Sequence, residues 1–89
     1  MKNSQVTIIN RLGLHARAAS KFVSAAKAFS CKITLCKNSE EVDGKSIMSV
    51  MLLAASRGTV LTLITDGDDE EAAFDCLESL IAARFDEPD

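Results

Sequence analysis

The spacing of apolar residues changes repeatedly along the chain, and each change marks an element. Val6 to Ile9 puts Val6 and Ile8 on one face at period two, which predicts a strand. Asn10 to Leu14 reads as a loop around Gly13. From His15 the period lengthens. Ala19, Phe22, Val23, Ala26 and Phe29 recur at helical spacing, with Arg17, Lys21 and Lys27 left to face water, so a helix is predicted as far as Ser30. Its many alanines favour that conformation. Cys31 to Lys37 alternates again, with Cys31, Ile33 and Leu35 inward and Cys36 more exposed than Cys31. Asn38-Ser39 predicts a hairpin turn into a short polar strand, Glu40 to Asp43.

Gly44-Lys45-Ser46 opens a second helical run, Ile47 to Ser56, closed by Arg57 and Gly58. Thr59 to Thr65 is rich in β-branched residues and is the clearest strand. After the Asp66-Gly67 turn, Asp68 is the expected N-cap of the last helix, with Glu71 as its capping-box partner. Ala73, Leu77, Leu80 and Ile81 form that helix's apolar stripe, with Cys76 beside it, and the tail after Phe85 is expected to fray. The order β-α-β-β-α-β-α predicts one α+β domain over residues 1–89. Three helices should cover one face of a four-stranded antiparallel sheet, a two-layer open-faced sandwich.

Composition narrows the function. A chain of 89 residues, 47% hydrophobic and 26% charged, holds one modest core and leaves little room for a deep multi-residue pocket. Its longest apolar run, Val50 to Ala55, falls far short of the ~20 residues of a membrane helix. Met1 to Gln5 has no apolar signal core, so the expected location is the cytoplasm. Net charge is −3, with no basic cluster and no Trp or Tyr, which argues against nucleic-acid binding. The acidic runs Asp66 to Glu71 and Asp86 to Asp89 read as solvated faces or frayed ends. Three cysteines without a C-x-x-C motif, and one histidine, suit neither a disulfide framework nor a structural zinc site; no metal or cofactor is expected.

His15 is where chemistry concentrates. It sits where a glycine-bearing loop becomes a helix. Helix N-termini present unsatisfied N–H groups and partial positive charge, which attract phosphate and disfavour an imidazolium. The backbone amides of Ala16, Arg17 and Ala18 and the Arg17 guanidinium would hold a phosphoryl group that a neutral His15 accepts. A lone histidine before an ordinary helix is more often a plain cap, and these mechanics alone do not displace that reading.

The string does. Leu12-Gly13-Leu14-His15-Ala16-Arg17-Ala18-Ala19 closely resembles the phosphohistidine motif of the HPr family, phosphocarriers of the bacterial phosphotransferase system. The likeness extends over the whole chain, through Gly44-Lys45-Ser46-Ile47-Met48 and Arg57-Gly58-Thr59-Val60-Leu61. It implies that enzyme I phosphorylates His15 on Nδ1, with phosphoenolpyruvate as the original donor, and that an enzyme IIA receives the group. It implies that Arg17 partners the phosphate. Ala18 stands where the family usually has proline; it keeps its N–H and its helix propensity, and bears on the shape of the contact surface. The motif and the Leu80-to-Glu87 tail look more like the nitrogen-system branch, NPr, than the sugar-transport branch. Such a carrier is a stoichiometric shuttle rather than a turnover enzyme, and is assumed to be monomeric.

Ser46 reads first as an N-cap; a capping box would want Glu or Gln at position 49, where Ser49 stands. The resemblance makes it the residue that HPr kinase/phosphorylase modifies in some bacteria. Gly44-Lys45-Ser46 also looks like the end of a P-loop, but the required first glycine is Ser39, which excludes nucleotide binding. The second helix has more apolar residues than one face buries. Val50, Leu53 and Ala54 suit the core; Ile47, Met48 and Met51 are either core or an exposed patch, and the resemblance makes them part of the docking face for enzyme I and the acceptors. A rival reading is a small regulatory or ligand-sensing βα module acting through protein contacts, with Ser46 as its point of control. It gives no reason for His15 and Arg17 at one helix start. A purely regulatory relative working through Ser46 would not need His15.

Overall fold

Alternation in four short segments builds one antiparallel sheet. In the computed structural model, which describes residues 1–89, β1 (Lys2–Thr7), β2 (Lys32–Lys37), β3 (Glu40–Asp43) and β4 (Val60–Asp66) lie side by side in the order β1-β4-β2-β3. Val6 pairs with Leu61, Leu35 with Leu63 and Ile33 with Thr65. These residues are buried, while Thr7, Thr62, Ile64 and Thr34 on the opposite face keep solvent contact. Three helices, α1 (Ala16–Ala26), α2 (Ile47–Leu52) and α3 (Glu70–Ala82), cover the apolar face, α1 packing on both of the others. No helix is long and apolar enough to cross a membrane.

The core is the expected set with additions. Phe22, Val23 and Ala26 of α1, Ile33, Leu35, Leu61 and Leu63 of the sheet, and Ala73, Leu77 and Ile81 of α3 are all buried. Phe74 and Phe85 join them. Cys31 is buried and Cys36 partly exposed, as the alternation predicts.

Several expectations need correction. The first strand runs earlier than Val6–Ile9, and Ile9 is exposed. The pairing still extends past Thr7, because the Ile8 N–H bonds the Thr59 carbonyl (2.9 Å). Helix α1 ends at Ala26, four residues before Ser30, and helix α2 ends at Leu52, four residues short of Ser56. Ala54 turns to positive φ (50°), which exposes its side chain and buries Ala55 in its place. The next carbonyl is thereby aimed at the histidine loop, where Ala55 O accepts from Leu14 N–H (2.8 Å). At α3 the cap position falls on Asp69, not Asp68, and its carboxylate serves another element. It accepts the backbone N–H groups of Ser30 (2.8 Å) and Cys31 (2.9 Å), tying the start of α3 to the α1–β2 junction. These donors hold the Asp69 carboxyl below its ordinary range, the Ser30 amide chief among them.

The tail does not fray. A single turn over Arg84–Asp86 has all three residues at positive φ (57°, 54° and 63°). A left-handed non-glycine residue costs roughly 1–2 kcal/mol, so tertiary contacts must hold this turn. Phe85 is fully buried, and its carbonyl accepts from Lys21 Nζ (2.7 Å). Lys21 was expected to face water; it is half-buried and fixes the tail instead.

Candidate functional site

The loop before α1 sets the position of His15. Gly13 has φ +67°, and a Cβ there would meet the Ala55 carbonyl, so the chain can pass this close only as glycine. Asn10, fully buried, donates from Nδ2 to the Gly13 carbonyl (2.8 Å) and closes the loop. His15 then takes extended φ/ψ (−73°, 178°) as the N-cap of α1. Its Nδ1 accepts the Arg17 backbone N–H (3.3 Å). Histidine thus does what serine or aspartate commonly does at this position.

That bond assigns the ring proton. A nitrogen that accepts an N–H carries no proton, so the neutral ring keeps its hydrogen on Nε2. Nε2 faces the Glu87 carboxylate, to which it donates through Oε2. The other Glu87 oxygen accepts from Asn10 Nδ2 (2.9 Å). The two side chains are largely enclosed, His15 at 28% and Glu87 at 12% exposure, which is far from a solvated acidic tail. The Glu87 carboxyl is held below its ordinary range, first by the Asn10 amide and then by the His15 ring and the Lys21 charge, with burial acting in the opposite sense.

Beside His15 lies an open depression lined by Arg11, Leu12, His15, Ala16, Arg17 and the Glu87–Asp89 tail. The Arg17 side chain is exposed and makes no ion pair. Of the amides of Ala16, Arg17 and Ala18, only that of Arg17 has a partner, the His15 ring. The arrangement offers one nucleophilic nitrogen, free donors at a helix start and one unpaired guanidinium, which together suit a small tetrahedral anion. No group of His, Cys, Asp and Glu is arranged to hold a metal ion.

The second expected site is a separate one. Ser46 is the N-cap of α2, its Oγ accepting from the Ser49 N–H (3.3 Å). Ile47, Met48 and Met51 are exposed, Met48 at 72%. Leu52, at 70%, belongs with them and was not singled out from sequence. Val50 and Leu53 are buried, as expected. The sequence reading also missed Asn10 and Glu87. A phenylalanine beyond the last helical stripe, followed by an acid, was the available signal that the tail docks.

Residues 2–83 match the family model described as "PTS HPr component phosphorylation site". Over 93% of both chains, the sequence is 55% identical to the phosphocarrier protein HPr of Pseudomonas aeruginosa. It is 40% identical to the phosphocarrier protein NPr of Shewanella violacea, over 93% of this chain and 91% of that protein. The crystal structure of HPr-C-His from Thermoanaerobacter tengcongensis superposes with a TM-score of 0.95 at 45% identity, covering 98% of each chain.

Proposed function

The chain belongs to the HPr family of the bacterial phosphotransferase system, and from that premise we propose that His15 is the residue on which it carries the phosphoryl group. Nδ1 attacks phosphorus on phosphorylated enzyme I, whose own supply is phosphoenolpyruvate, and later yields the group to an enzyme IIA. The observation that carries this reading is the orientation of the ring: Nδ1 turned to the first turn of α1, Nε2 held from behind. The amides at Ala16, Arg17 and Ala18 receive the phosphate oxygens, and the Arg17 guanidinium swings in as a second donor set. Catalysis of this kind is positioning and charge stabilisation, and the carrier supplies the receiving half of both.

Ile47, Met48 and Met51, with Leu52 beside them, form the surface that meets enzyme I and the acceptor in the cytoplasm. Methionine suits a surface that docks to more than one partner. Ser46 is its control point: a phosphate added there by HPr kinase/phosphorylase lies at the start of α2, leaves the fold intact and sets negative charge beside the apolar surface. The test is intact mass after incubation with phosphoenolpyruvate, magnesium and enzyme I from each branch of the system. One acid-labile phosphate, absent in His15→Ala and acquired faster from one branch, is the expected result. Folded protein that gains no mass from either enzyme I overturns the reading.

A further inference from the structure

Glu87 contacts the ring at Nε2, the nitrogen that does not receive the phosphoryl group. We propose that Glu87 is a positioning residue for phosphoryl transfer at His15, resting on the carrier reading above: its carboxylate holds the imidazole in the Nε2–H tautomer and balances the positive charge the ring acquires when Nδ1 bonds to phosphorus.

The geometry supplies both halves. Glu87 Oε2 takes the Nε2 proton's hydrogen bond, and Oε1 is fixed by Asn10 Nδ2 (2.9 Å). Asn10 is itself fully buried and bonded to the Gly13 carbonyl (2.8 Å), so the carboxylate is anchored to the loop that carries the histidine. Phe85 anchors it from the tail side. In the transfer, the Nδ1 lone pair forms the N–P bond while the bond from phosphorus to the donor atom breaks, its electron pair staying with the donor. The Nε2 proton remains where it is. The product ring is an N-phosphorylated imidazolium whose N–H⁺ faces a carboxylate, so the hydrogen bond now joins two ionised groups and is stronger than the one its neutral N–H made before. An interaction that strengthens as the reaction proceeds lowers the barrier. On the way to the acceptor the same steps reverse, and the ring returns to its neutral Nε2–H form.

The other charged groups around the pair do not take over this role. Arg11 is drawn to Asp89 (3.9 Å), Lys21 bonds the Phe85 carbonyl, and Arg17 meets the ring through its backbone N–H at Nδ1. Glu87 alone reaches Nε2.

Glu87→Gln removes the charge and keeps the size; Glu87→Ala removes both. Ring ¹⁵N chemical shifts read the tautomer, and single-turnover phosphorylation by enzyme I reads the transfer. Expected for the wild type is a dominant Nε2–H ring. In Glu87→Ala the two tautomers mix. Both variants should phosphorylate about 10- to 100-fold more slowly at saturating enzyme I, by analogy with the loss of a carboxylate that orients a metal-bound histidine, with the concentration dependence unchanged. A role confined to fastening the tail would move stability and leave the ring shifts alone. Variants that match wild type in tautomer and rate overturn the proposal for Glu87. A wild-type chain that takes no phosphate overturns the carrier reading itself.

Discussion

Gly13 sits where the histidine loop touches the segment after α2. Its φ of +67° belongs to the left-handed region, and the space a Cβ needs is taken by the Ala55 carbonyl. Gly13→Ala therefore meets two penalties together, strain on the order of 1–3 kcal/mol and a clash that pushes Leu14 away from its bond to Ala55. Thermal unfolding should show a midpoint lower by roughly 5–20 °C for a domain of this size, with slower phosphorylation because His15 follows Leu14. An unchanged midpoint would mean that the loop relaxes freely and does not fix the ring. At this scale the sequence was legible for half of the site. His15 and Arg17 were singled out by the resemblance of the string they stand in, their placement at a helix start being insufficient alone. Asn10 and Glu87 were not, because the contact that matters joins residues 72 positions apart and no local spacing encodes it.

Elements whose own residues decide them were legible, and elements settled by a neighbour were not. β4 and the start of α1 read correctly because period and propensity agree there, although α1 ends at Ala26 rather than Ser30. The end of α2 did not, since Ala54 leaves the helix at positive φ only because the following carbonyl has a partner in Leu14. Asp69 is the same case: it stands at a cap position, yet its oxygens belong to Ser30 and Cys31. Its carboxyl lies below the ordinary 3.8, so the native state holds it ionised more readily than the unfolded chain does. The stability it contributes is then fully present above that ordinary value and is lost as pH falls through the lower native one. Acid titration of the folding midpoint should show this loss, and Asp69→Asn should flatten the profile there; an unaltered profile refutes the assignment. The apolar face of α2 has the opposite signature. Met48 is too exposed to support the fold, so Met48→Glu should change stability by less than about 0.5 kcal/mol. It should nevertheless raise KM for enzyme I in steady-state phosphorylation while leaving kcat near wild type. An unmoved KM would take Met48 out of the docking surface.

Across the whole molecule, the last residues close over the first loop. Asn10 reaches Glu87, the Arg11 N–H bonds the Asp89 carbonyl (3.0 Å), and Lys21 holds the Phe85 carbonyl. The tail was read as frayed because its charge suggests solvent and its left-handed turn has no local cause; only burial of Phe85 against the rest of the core explains it. Fold stability and site geometry are thereby joined through one side chain. Phe85→Ala should destabilise the protein by about 3–5 kcal/mol, a large share of what a domain this small possesses, so rates are to be compared at low temperature where the variant remains folded. Its effect on transfer should come entirely through Glu87, which it sets loose. A double-mutant cycle separates that from independent damage. If the tail acts as one unit, Phe85→Ala and Glu87→Ala each slow phosphorylation and the double variant is no slower than Glu87→Ala alone. If the two losses multiply, Phe85 supports the site by another route, and Glu87 depends on Asn10 rather than on the docked tail.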